Sequence, residues 1–273
     1  MIITILGSTG FIGSKLWAYL ENQNCEVMTP NIDEMLMSDK NYGVVYYCIG
    51  LTSDFRDKPY ETVEAHVEKL KIILKNVRFE KLIYLSSTRV YQGSKVTKED
   101  APLLINSGDP EAIYNLSKAL GESLCLNTTN KSTCVVRIAN VIGENQNIET
   151  FMGQILLSAR KGKVHFESGA NSAKDYISVD DVVWILHKMA FATKYNMYNL
   201  ASGKNISNLE VSKIISASTK CEISFSSHGQ MVNVPDINIS RIVDEFTFKP
   251  TPISKVLVKL LSDSQNVIIN HGK

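Results

Sequence analysis

Long apolar runs are missing from this 273-residue chain, and none approaches the roughly 18 residues that a membrane-spanning helix needs. The N-terminus has no basic segment, and glycines interrupt its apolar residues, so it does not resemble a signal peptide. The five cysteines lie at positions 25, 48, 125, 134 and 221, without paired spacing and without the Cys/His spacing of a metal site. These absences exclude a disulfide scaffold and predict a cytoplasmic protein with reduced thiols and no metal.

An excess of charge of one sign is also missing. The chain has 29 Lys and Arg against 28 Asp and Glu, a net charge of +1. This balance gives no electrostatic reason to expect binding to nucleic acid or to a membrane surface. The hydrophobic content of 44% is ordinary for a globular protein. We therefore expect a small-molecule partner.

Short apolar runs alternate with helical patterns along the chain. Strands are predicted at 2–6, 25–29, 43–50, 81–87, 133–140 and 197–202, and helices at 11–22, 62–76, 112–127, 149–161, 179–190 and 207–218. Strands separated by helices indicate parallel βαβ units. We predict an α/β fold: a Rossmann-type doubly wound parallel sheet over 1–165, to which 176–203 returns. A smaller substrate-binding α/β lobe, interleaved with the sheet, is expected over 166–273.

Three glycines follow the first predicted strand directly, in "ILGSTGFIGSKL". Glycines in a strand–turn–helix context let the backbone approach a pyrophosphate, and the helix N-terminus supplies free N–H groups. The motif predicts NAD or NADP as cofactor. The residues expected to contact it here are Gly7, Thr9, Gly10, Phe11, Ile12, Gly13 and, after the third strand, Gly50.

The end of the second strand bears on the choice of cofactor. An acidic residue roughly 20 residues beyond the glycine motif is typical of NAD-binding proteins. Asn31 occupies that position, and Asp33, two residues further on, could take its place if the loop is shifted. An amide can bond a ribose hydroxyl and does not repel a 2′-phosphate. Asn31 is therefore a predicted cofactor contact that slightly favours NADP and leaves NAD open.

Two tyrosines stand four residues before a lysine, Tyr91 before Lys95 and Tyr114 before Lys118. On a helix this spacing places both side chains on one face. Phenol has a pKa of about 10, and a nearby ammonium group favours the phenolate form. Such a pair can exchange a proton with an alcohol or carbonyl. The spacing alone does not select between the two pairs.

Five motifs stand in order along the chain: "GSTGFIG", "YLSSTRVYQG", "YNLSK", "RIANVIG" and "KDYISVDDV". Together they resemble the extended short-chain dehydrogenase/reductases, the NAD-dependent epimerase/dehydratase family. The resemblance implies that Tyr114 and Lys118 are catalytic and that Lys118 also holds the nicotinamide ribose. It selects Ser87, rather than Ser86 or Thr88, as the hydroxyl that bonds the reacting oxygen.

The resemblance also implies substrate contacts for Thr88, Asn140 and Lys174. Lys174 stands where an Arg that contacts a nucleotide diphosphate is usual, and it keeps the charge without the bidentate fork. A second such Arg has no counterpart in "GQMVNVPDINIS", residues 229–240. His66 replaces a usual Asn that supports the active-site backbone, and is expected either to act as a hydrogen-bond donor or to be partly exposed.

Thr88 and Arg89 stand where the hexose dehydratases of the family carry an acid and a base. An Arg is not a base under ordinary conditions, so dehydration is disfavoured. We therefore predict an NAD(P)-dependent oxidoreductase that acts on a nucleotide-linked sugar. The predicted reaction is reduction or oxidation at C4 of the sugar. The first alternative is a 4-epimerase with tightly bound NAD. A non-catalytic dinucleotide sensor and a reductase of non-sugar carbonyls are further alternatives.

Family members often dimerise through two helices of each subunit. The corresponding segments here are 62–76 and 112–127, and apolar residues on more than one face of the second segment permit the contact. A homodimer is therefore compatible with the sequence.

Overall fold

The structure is a computed structural model that describes residues 1–51, 54–128, 132–226 and 234–262. Its strands are β1 (Ile2–Leu6), β2 (Glu26–Met28), β3 (Val44–Tyr47), β4 (Lys81–Ser87), β5 (Thr133–Ile138), β6 (Asn140–Ile142), β7 (Lys163–Phe166), β8 (Ala173–Ser178), β9 (Met197–Leu200), β10 (Asn205–Ser207) and β11 (Glu222–Phe225). Its α-helices are α1 (Phe11–Glu21), α2 (Ile32–Leu36), α3 (Pro59–Val63), α4 (Lys69–Asn76), α5 (Ala112–Asn127), α6 (Phe151–Arg160), α7 (Val179–Phe191), α8 (Asn208–Ser218), α9 (Ser240–Phe246) and α10 (Ile253–Ser262). Within the described ranges, no helix has both the length and the apolar composition to cross a membrane.

The main sheet has six strands in the order β2-β1-β3-β4-β5-β9, and every neighbouring pair is parallel. Its central strands are continuous apolar runs: all four residues of β3 are buried, as are residues 82–86 of β4. Strands of this kind need helices on both faces of the sheet. The predicted Rossmann-type α/β fold is confirmed.

Helices cover both faces of this sheet. On one face α1 and α7 contribute buried side chains such as Leu16 and Leu186 to a large apolar cluster. On the other face α4 and α5 contribute Ile73 and Cys125 to a second cluster. Because the strands are parallel, their carboxyl ends meet at one edge of the sheet, where ligands of such folds bind.

The helix predicted at 62–76 begins earlier and is not uniform. Helix α3 passes into a π-helical turn, Glu64–Glu68, before α4 begins. Such turns insert extra backbone into a helix and are frequent at functional sites. The π-turn packs closely on α5, since a Cβ added at Gly121 would lie 2.9 Å from the His66 carbonyl oxygen. This turn carries His66 into the interior.

The smaller lobe has its own apolar cluster, formed by residues of α6, α8 and α10 with β6, β7 and β8. Its sheets have the orders β10-β8-β6 and β11-β7. Strand β9 belongs to the main sheet, beside β5. Because α6 packs in this lobe, we propose that the lobe begins with β6 rather than after residue 165. Residues 227–233 and 263–273 of the predicted lobe lie outside the described residues.

Candidate functional site

The glycine turn between β1 and α1 forms one side of the site. Gly7 has a φ of +82°, and a Cβ there would lie 2.9 Å from the carbonyl carbon of Cys48. A Cβ at Gly13 would lie 2.1 Å from the Gly7 carbonyl oxygen. The turn is closed by a 3.1 Å hydrogen bond that the Gly10 N–H donates to the same oxygen. Only glycine fits at Gly7 and Gly13, so the backbone is bare where α1 begins.

The outer surface of this turn is open. Thr9 and Gly10 are exposed, while Phe11 and Ile12 are half-buried against the interior. The N–H groups of the first turn of α1 point toward this opening, and no side chain caps them. A bare backbone at a helix N-terminus fits the pyrophosphate of a dinucleotide.

Gly50 lies across from the turn, just beyond β3. A Cβ there would lie 3.0 Å from His66 Nε2 and 3.3 Å from Lys118 Nζ. Gly50 is exposed, whereas the two side chains beneath it are buried. The absence of a side chain at Gly50 therefore leaves the Lys118 ammonium group close to the floor of the cleft.

The three candidate hydroxyls at the end of β4 point in different directions. Successive side chains of a strand face opposite sides. Ser86 donates a 2.5 Å hydrogen bond to Glu122 Oε1 of α5. Ser87 lies close enough to the Tyr114 phenol to lower its pKa, and its hydroxyl accepts from the backbone N–H of Arg89 at 3.2 Å. Thr88 is buried at the start of a 3-10 turn, Thr88–Tyr91.

Tyr114 lies in the first turns of α5 and is 4% exposed. Burial raises the pKa of its phenol, and the neighbouring Ser87 hydroxyl and the charge of Arg89 oppose that rise. Phe55 packs against the ring at a centroid distance of 5.2 Å. The structure thus brings Ser87 and Tyr114 together, as the sequence predicts. The other Tyr–Lys pair does not share a helix, since Tyr91 ends the 3-10 turn and donates a hydrogen bond to Asn199.

Lys118 lies one turn further along α5. Its Nζ donates a 2.9 Å hydrogen bond to the Leu85 carbonyl oxygen and lies 5.1 Å from the centroid of the Tyr84 ring. Burial lowers the pKa of this ammonium group to about 8, an effect that the negative charge of Glu122 opposes. These contacts are not with the Tyr114 phenol. The predicted influence of Lys118 on Tyr114 stays a prediction.

Arg89 is the cation in contact with the Tyr114 ring. Its Cζ lies 5.0 Å from that ring centroid and 5.0 Å from the Phe55 centroid. Its Nη2 donates a 2.5 Å hydrogen bond to Glu111 Oε2, and Arg56 Nη2 donates to the same oxygen at 2.7 Å. Partial burial would raise the pKa of Glu111, but these two hydrogen bonds hold it below its ordinary range.

This arrangement is the part of the site that the sequence argument missed. Arg89, two residues after Ser87, was considered only as an unsuitable base. Its partners Phe55, Arg56 and Glu111 come from two loops distant in sequence, so no local pattern pointed to them.

His66 is fully buried, so the expectation of a partly exposed histidine is wrong. The Leu51 N–H donates to Nε2 at 3.3 Å, which leaves Nδ1 to donate to the Ser117 hydroxyl at 2.8 Å. Ser117 in turn donates to the Tyr114 carbonyl oxygen at 3.0 Å. The imidazole also meets the Tyr114 ring edge-on at 5.3 Å. His66 therefore supports the backbone and ring of Tyr114 as a neutral side chain.

Because burial and the neighbouring Lys118 lower the pKa of His66 to about 2, acid should destabilise the fold through this residue. In the unfolded chain a histidine titrates near 6.5, so below that pH the unfolded state binds more protons. From pH 7 to 5 the free energy of unfolding of the wild type should fall by about 2 kcal/mol more than that of His66→Asn. Urea titrations at both pH values check this.

His165 offers a control for that comparison, because its side chain is exposed on β7. We expect His165→Asn to follow the pH dependence of the wild type. Equal slopes for wild type and His66→Asn would contradict a buried neutral His66.

The predicted substrate contacts of the lobe lie on its three-stranded sheet. Asn140 Nδ2 donates a 2.8 Å hydrogen bond to the Asp175 carbonyl oxygen. Lys174, next in the chain to Asp175, holds its Nζ 4.8 Å from the centroid of the Phe151 ring. Burial lowers the pKa of Lys174, and the positive charges of Arg89 and Arg56 lower it further. Residues 229–233 of the segment that lacks the second Arg lie outside the described residues.

Asn31 is engaged in local structure. Its Oδ1 accepts the Glu34 N–H at 2.8 Å, and its Nδ2 donates to Glu34 Oε1 at 2.8 Å. This capping box begins α2. The Glu34 carboxylate therefore lies beside the uncharged Asn31 amide, just beyond β2. In the part of the chain that the structure describes, no group of His, Cys, Asp and Glu could hold a metal ion.

The sequence profile of the NAD-dependent epimerase/dehydratase family matches residues 3–201. No curated protein matches the chain. Among solved structures, RMD from Pseudomonas aeruginosa, complexed with NADPH, is similar with a TM-score of 0.78 at 21% identity, covering 96% of this chain and 98% of that one. UDP-glucose 4-epimerase from Thermotoga maritima, with UDP-glucose, has a TM-score of 0.77 at 16% identity, with coverage of 96% and 98%. dTDP-glucose 4,6-dehydratase from Bacillus anthracis, with NAD, has a TM-score of 0.77 at 21% identity, with coverage of 96% and 96%. At these identities the solved structures show a shared fold.

Proposed function

Because the chain belongs to the NAD-dependent epimerase/dehydratase family, we propose that it is an NAD(P)-dependent oxidoreductase that reduces a keto group, at C4, of a nucleotide-linked sugar. The proximity of Ser87 and Tyr114 carries the proposal, because it brings a proton donor and a second hydroxyl together at the carboxyl edge of the sheet. The bare glycine turn and Lys118 lie at the same edge.

The chemistry divides between cofactor and protein. A bound nicotinamide supplies the hydride that forms the new C–H bond at the carbonyl carbon. Tyr114 donates its proton to the carbonyl oxygen as the C=O π bond breaks, which yields the alcohol. Ser87 donates a hydrogen bond to the same oxygen and stabilises the negative charge that develops there. Lys118 would hold the nicotinamide ribose.

The state of Tyr114 supports the reductive direction. Burial raises the pKa of the phenol, so at neutral pH it carries its proton. A protonated phenol is ready to act as the acid in a reduction, whereas oxidation requires the phenolate first.

The surroundings of Tyr114 argue against dehydration. Elimination of water needs a base beside the reacting carbons, and the residue that follows Thr88 is Arg89. Its guanidinium group is engaged with Glu111 and with the Tyr114 ring. A guanidinium group does not lose its proton in proteins, so this position supplies charge and hydrogen bonds only.

Nucleotide sugars are proposed as substrates on two grounds. Solved relatives of the fold contain UDP-glucose, and Lys174 of the lobe lies within electrostatic range of Arg89, the side chain that stacks on Tyr114. Asn140, on the neighbouring part of the lobe's sheet, and Thr88 are proposed as further contacts. Lys174 is a cation without a bidentate fork, which suits a phosphate as a point charge. The diphosphate would lie against the lobe and the sugar against Tyr114.

The proposal is tested with nucleotide 4-keto-sugars offered together with NADH or NADPH, following the loss of absorbance of the reduced nicotinamide. Consumption of cofactor with at least one nucleotide keto-sugar supports it. Consumption with keto compounds that lack a nucleotide, and not with nucleotide sugars, would favour a reductase of non-sugar carbonyls. Cofactor binding without turnover of any of these compounds would favour a dinucleotide sensor.

A second candidate is a 4-epimerase that keeps NAD bound, and Glu34 favours it. Its carboxylate lies on the side chain of Asn31, at the end of β2 where the adenosine ribose of a dinucleotide is expected. A negative charge there disfavours the 2′-phosphate of NADP. Cofactor retained through purification, with sugar interconversion in the absence of added cofactor, would establish the epimerase over the reductase.

Glu34→Gln is expected to raise the ratio of the NADPH affinity to the NADH affinity by about fivefold. Removal of one nearby negative charge at a solvated site is worth about 1 kcal/mol. Fluorescence titration of the two reduced cofactors measures both dissociation constants. Glu26→Gln serves as the control, since Glu26 is exposed at the opposite end of β2. An equal ratio of the NADH and NADPH dissociation constants in the wild type and Glu34→Gln would show that Glu34 does not select the cofactor.

The homodimer stays a prediction. Two large apolar side chains on the predicted contact helices are exposed, Tyr60 of α3 at 86% and Leu120 of α5 at 51%. Exposed apolar groups on neighbouring helices are compatible with a subunit contact.

A further inference from the structure

When Tyr114 gives up its proton, a nearby cation stabilises the phenolate that remains, and two cations are candidates. Lys118 Nζ is bonded to the Leu85 carbonyl oxygen and lies over the Tyr84 ring. Arg89 instead stacks on Tyr114 itself, with its Cζ 5.0 Å from the ring centroid. The two cations therefore approach different aromatic rings.

Arg89 is fixed in this place from three sides. Glu111, immediately before α5, accepts a hydrogen bond from its Nη2. The guanidinium group lies over the Phe55 ring, and the backbone N–H of Arg89 donates to Ser87 Oγ. A guanidinium group held by a carboxylate and two rings loses little freedom when the neighbouring phenol ionises, so its charge acts at a fixed distance.

We propose that Arg89 is a positioning residue that stabilises the phenolate of Tyr114, and that Glu111 holds it on the ring. The inference rests on the proposed role of Tyr114 as proton donor and adds a residue to it. It concerns a guanidinium group at a position where the dehydratase pattern places an acid or a base.

Other titratable groups also face Tyr114 and set the background. They are Tyr84 of β4, His66 of the π-turn and, through Arg89, the side chains of Glu111, Arg56 and Lys174. Lys118, one turn further along α5, contacts Tyr84 instead. His66 is neutral, since burial lowers its pKa to about 2. Arg89 and Arg56 share one carboxylate, but only Arg89 contacts the Tyr114 ring.

The test uses the full chain labelled with tyrosine carrying ¹³C at Cζ, whose chemical shift reports ionisation of each phenol. The Tyr114 resonance is identified by its loss in Tyr114→Phe. Its titration is followed over the alkaline range in which circular dichroism shows the fold to be intact. In Arg89→Gln the Tyr114 transition should move to higher pH by about one unit, because a cation within about 4–6 Å of an acid lowers its pKa by one unit or more.

Arg56→Gln is the matched control. It also removes a guanidinium group that bonds Glu111 and lies over the Phe55 ring. That group, unlike the one of Arg89, does not contact the Tyr114 ring. We expect it to move the Tyr114 transition by much less than Arg89→Gln does. Arg89→Met, which keeps an apolar stem of similar length, should reproduce the shift if the Gln variant does not fold.

An unchanged Tyr114 transition in both Arg89 variants would overturn the inference, as would an equal shift in Arg56→Gln. The titration needs no substrate. A failed substrate screen would therefore count against the proposed function alone, and a failed titration against Arg89 alone.

Discussion

Tyr114→Phe is expected to lower the rate of hydride transfer by at least about 100-fold, because general acid catalysis commonly contributes factors of about 100 to 10,000. The substitution removes one oxygen from a ring that is packed between Phe55 and His66. Both ring contacts remain possible for phenylalanine, so the fold should be retained. The loss should appear in kcat as well as in kcat/KM, since the proton moves only in the transition state.

The measurement is the rate of cofactor oxidation with the nucleotide keto-sugar found in the substrate screen. Tyr60→Phe is the matched control, because Tyr60 is 86% exposed and lies outside the site. It should keep the wild-type rate. Equal rates for wild type and Tyr114→Phe would remove Tyr114 from the chemistry.

Arg137→Met should lower the free energy of unfolding by about 3–5 kcal/mol, the typical cost of leaving a buried charge without its partner. Arg137 and Glu122 are each only 3% exposed. Arg137 donates to both carboxylate oxygens, at 3.0 and 2.7 Å, and to the Tyr91 hydroxyl at 2.7 Å. Without the guanidinium group, Glu122 would keep only the hydrogen bond from Ser86.

Chemical denaturation of both proteins at neutral pH measures this difference. Lys69→Met is the control, since the Lys69–Glu64 ion pair is 41% and 49% exposed and such pairs contribute at most about 1 kcal/mol. A loss below that value for Arg137→Met would mean that Glu122 finds another partner or takes up a proton. In that case the pair would not hold the end of β4 in place.

The elements that position the site follow from local pattern. A glycine turn after an apolar strand predicted the β1–α1 connection, and helical periodicity predicted α5, which carries Tyr114 and Lys118. The choice of Ser87 rested on the resemblance. Alternation along β4 turns Ser86 toward α5, where it bonds Glu122, and Ser87 reaches Tyr114 from the end of the strand.

Other features depended on contacts that no local pattern records. The π-turn that buries His66 adds backbone within a segment whose apolar periodicity indicates an ordinary helix. The stacking of Arg89 on Tyr114 needs Phe55 and Glu111, which follow different strands. The cap formed by Asn31 could have been predicted, because "NIDE" has the sequence pattern of a helix N-terminus. The Asn31 side chain was considered only as a cofactor contact.

The central claim is that hydride moves between a nicotinamide and a sugar carbon while Tyr114 passes the proton. It is tested most directly with reduced cofactor that carries deuterium at C4 of the nicotinamide, on the face from which hydride is transferred. Mass spectrometry then measures the deuterium content of the nucleotide-sugar product. We predict one deuterium in the sugar with the wild type and transfer at least about 100-fold slower with Tyr114→Phe. A product that forms without deuterium, or labelled product formed equally fast by both proteins, would contradict it.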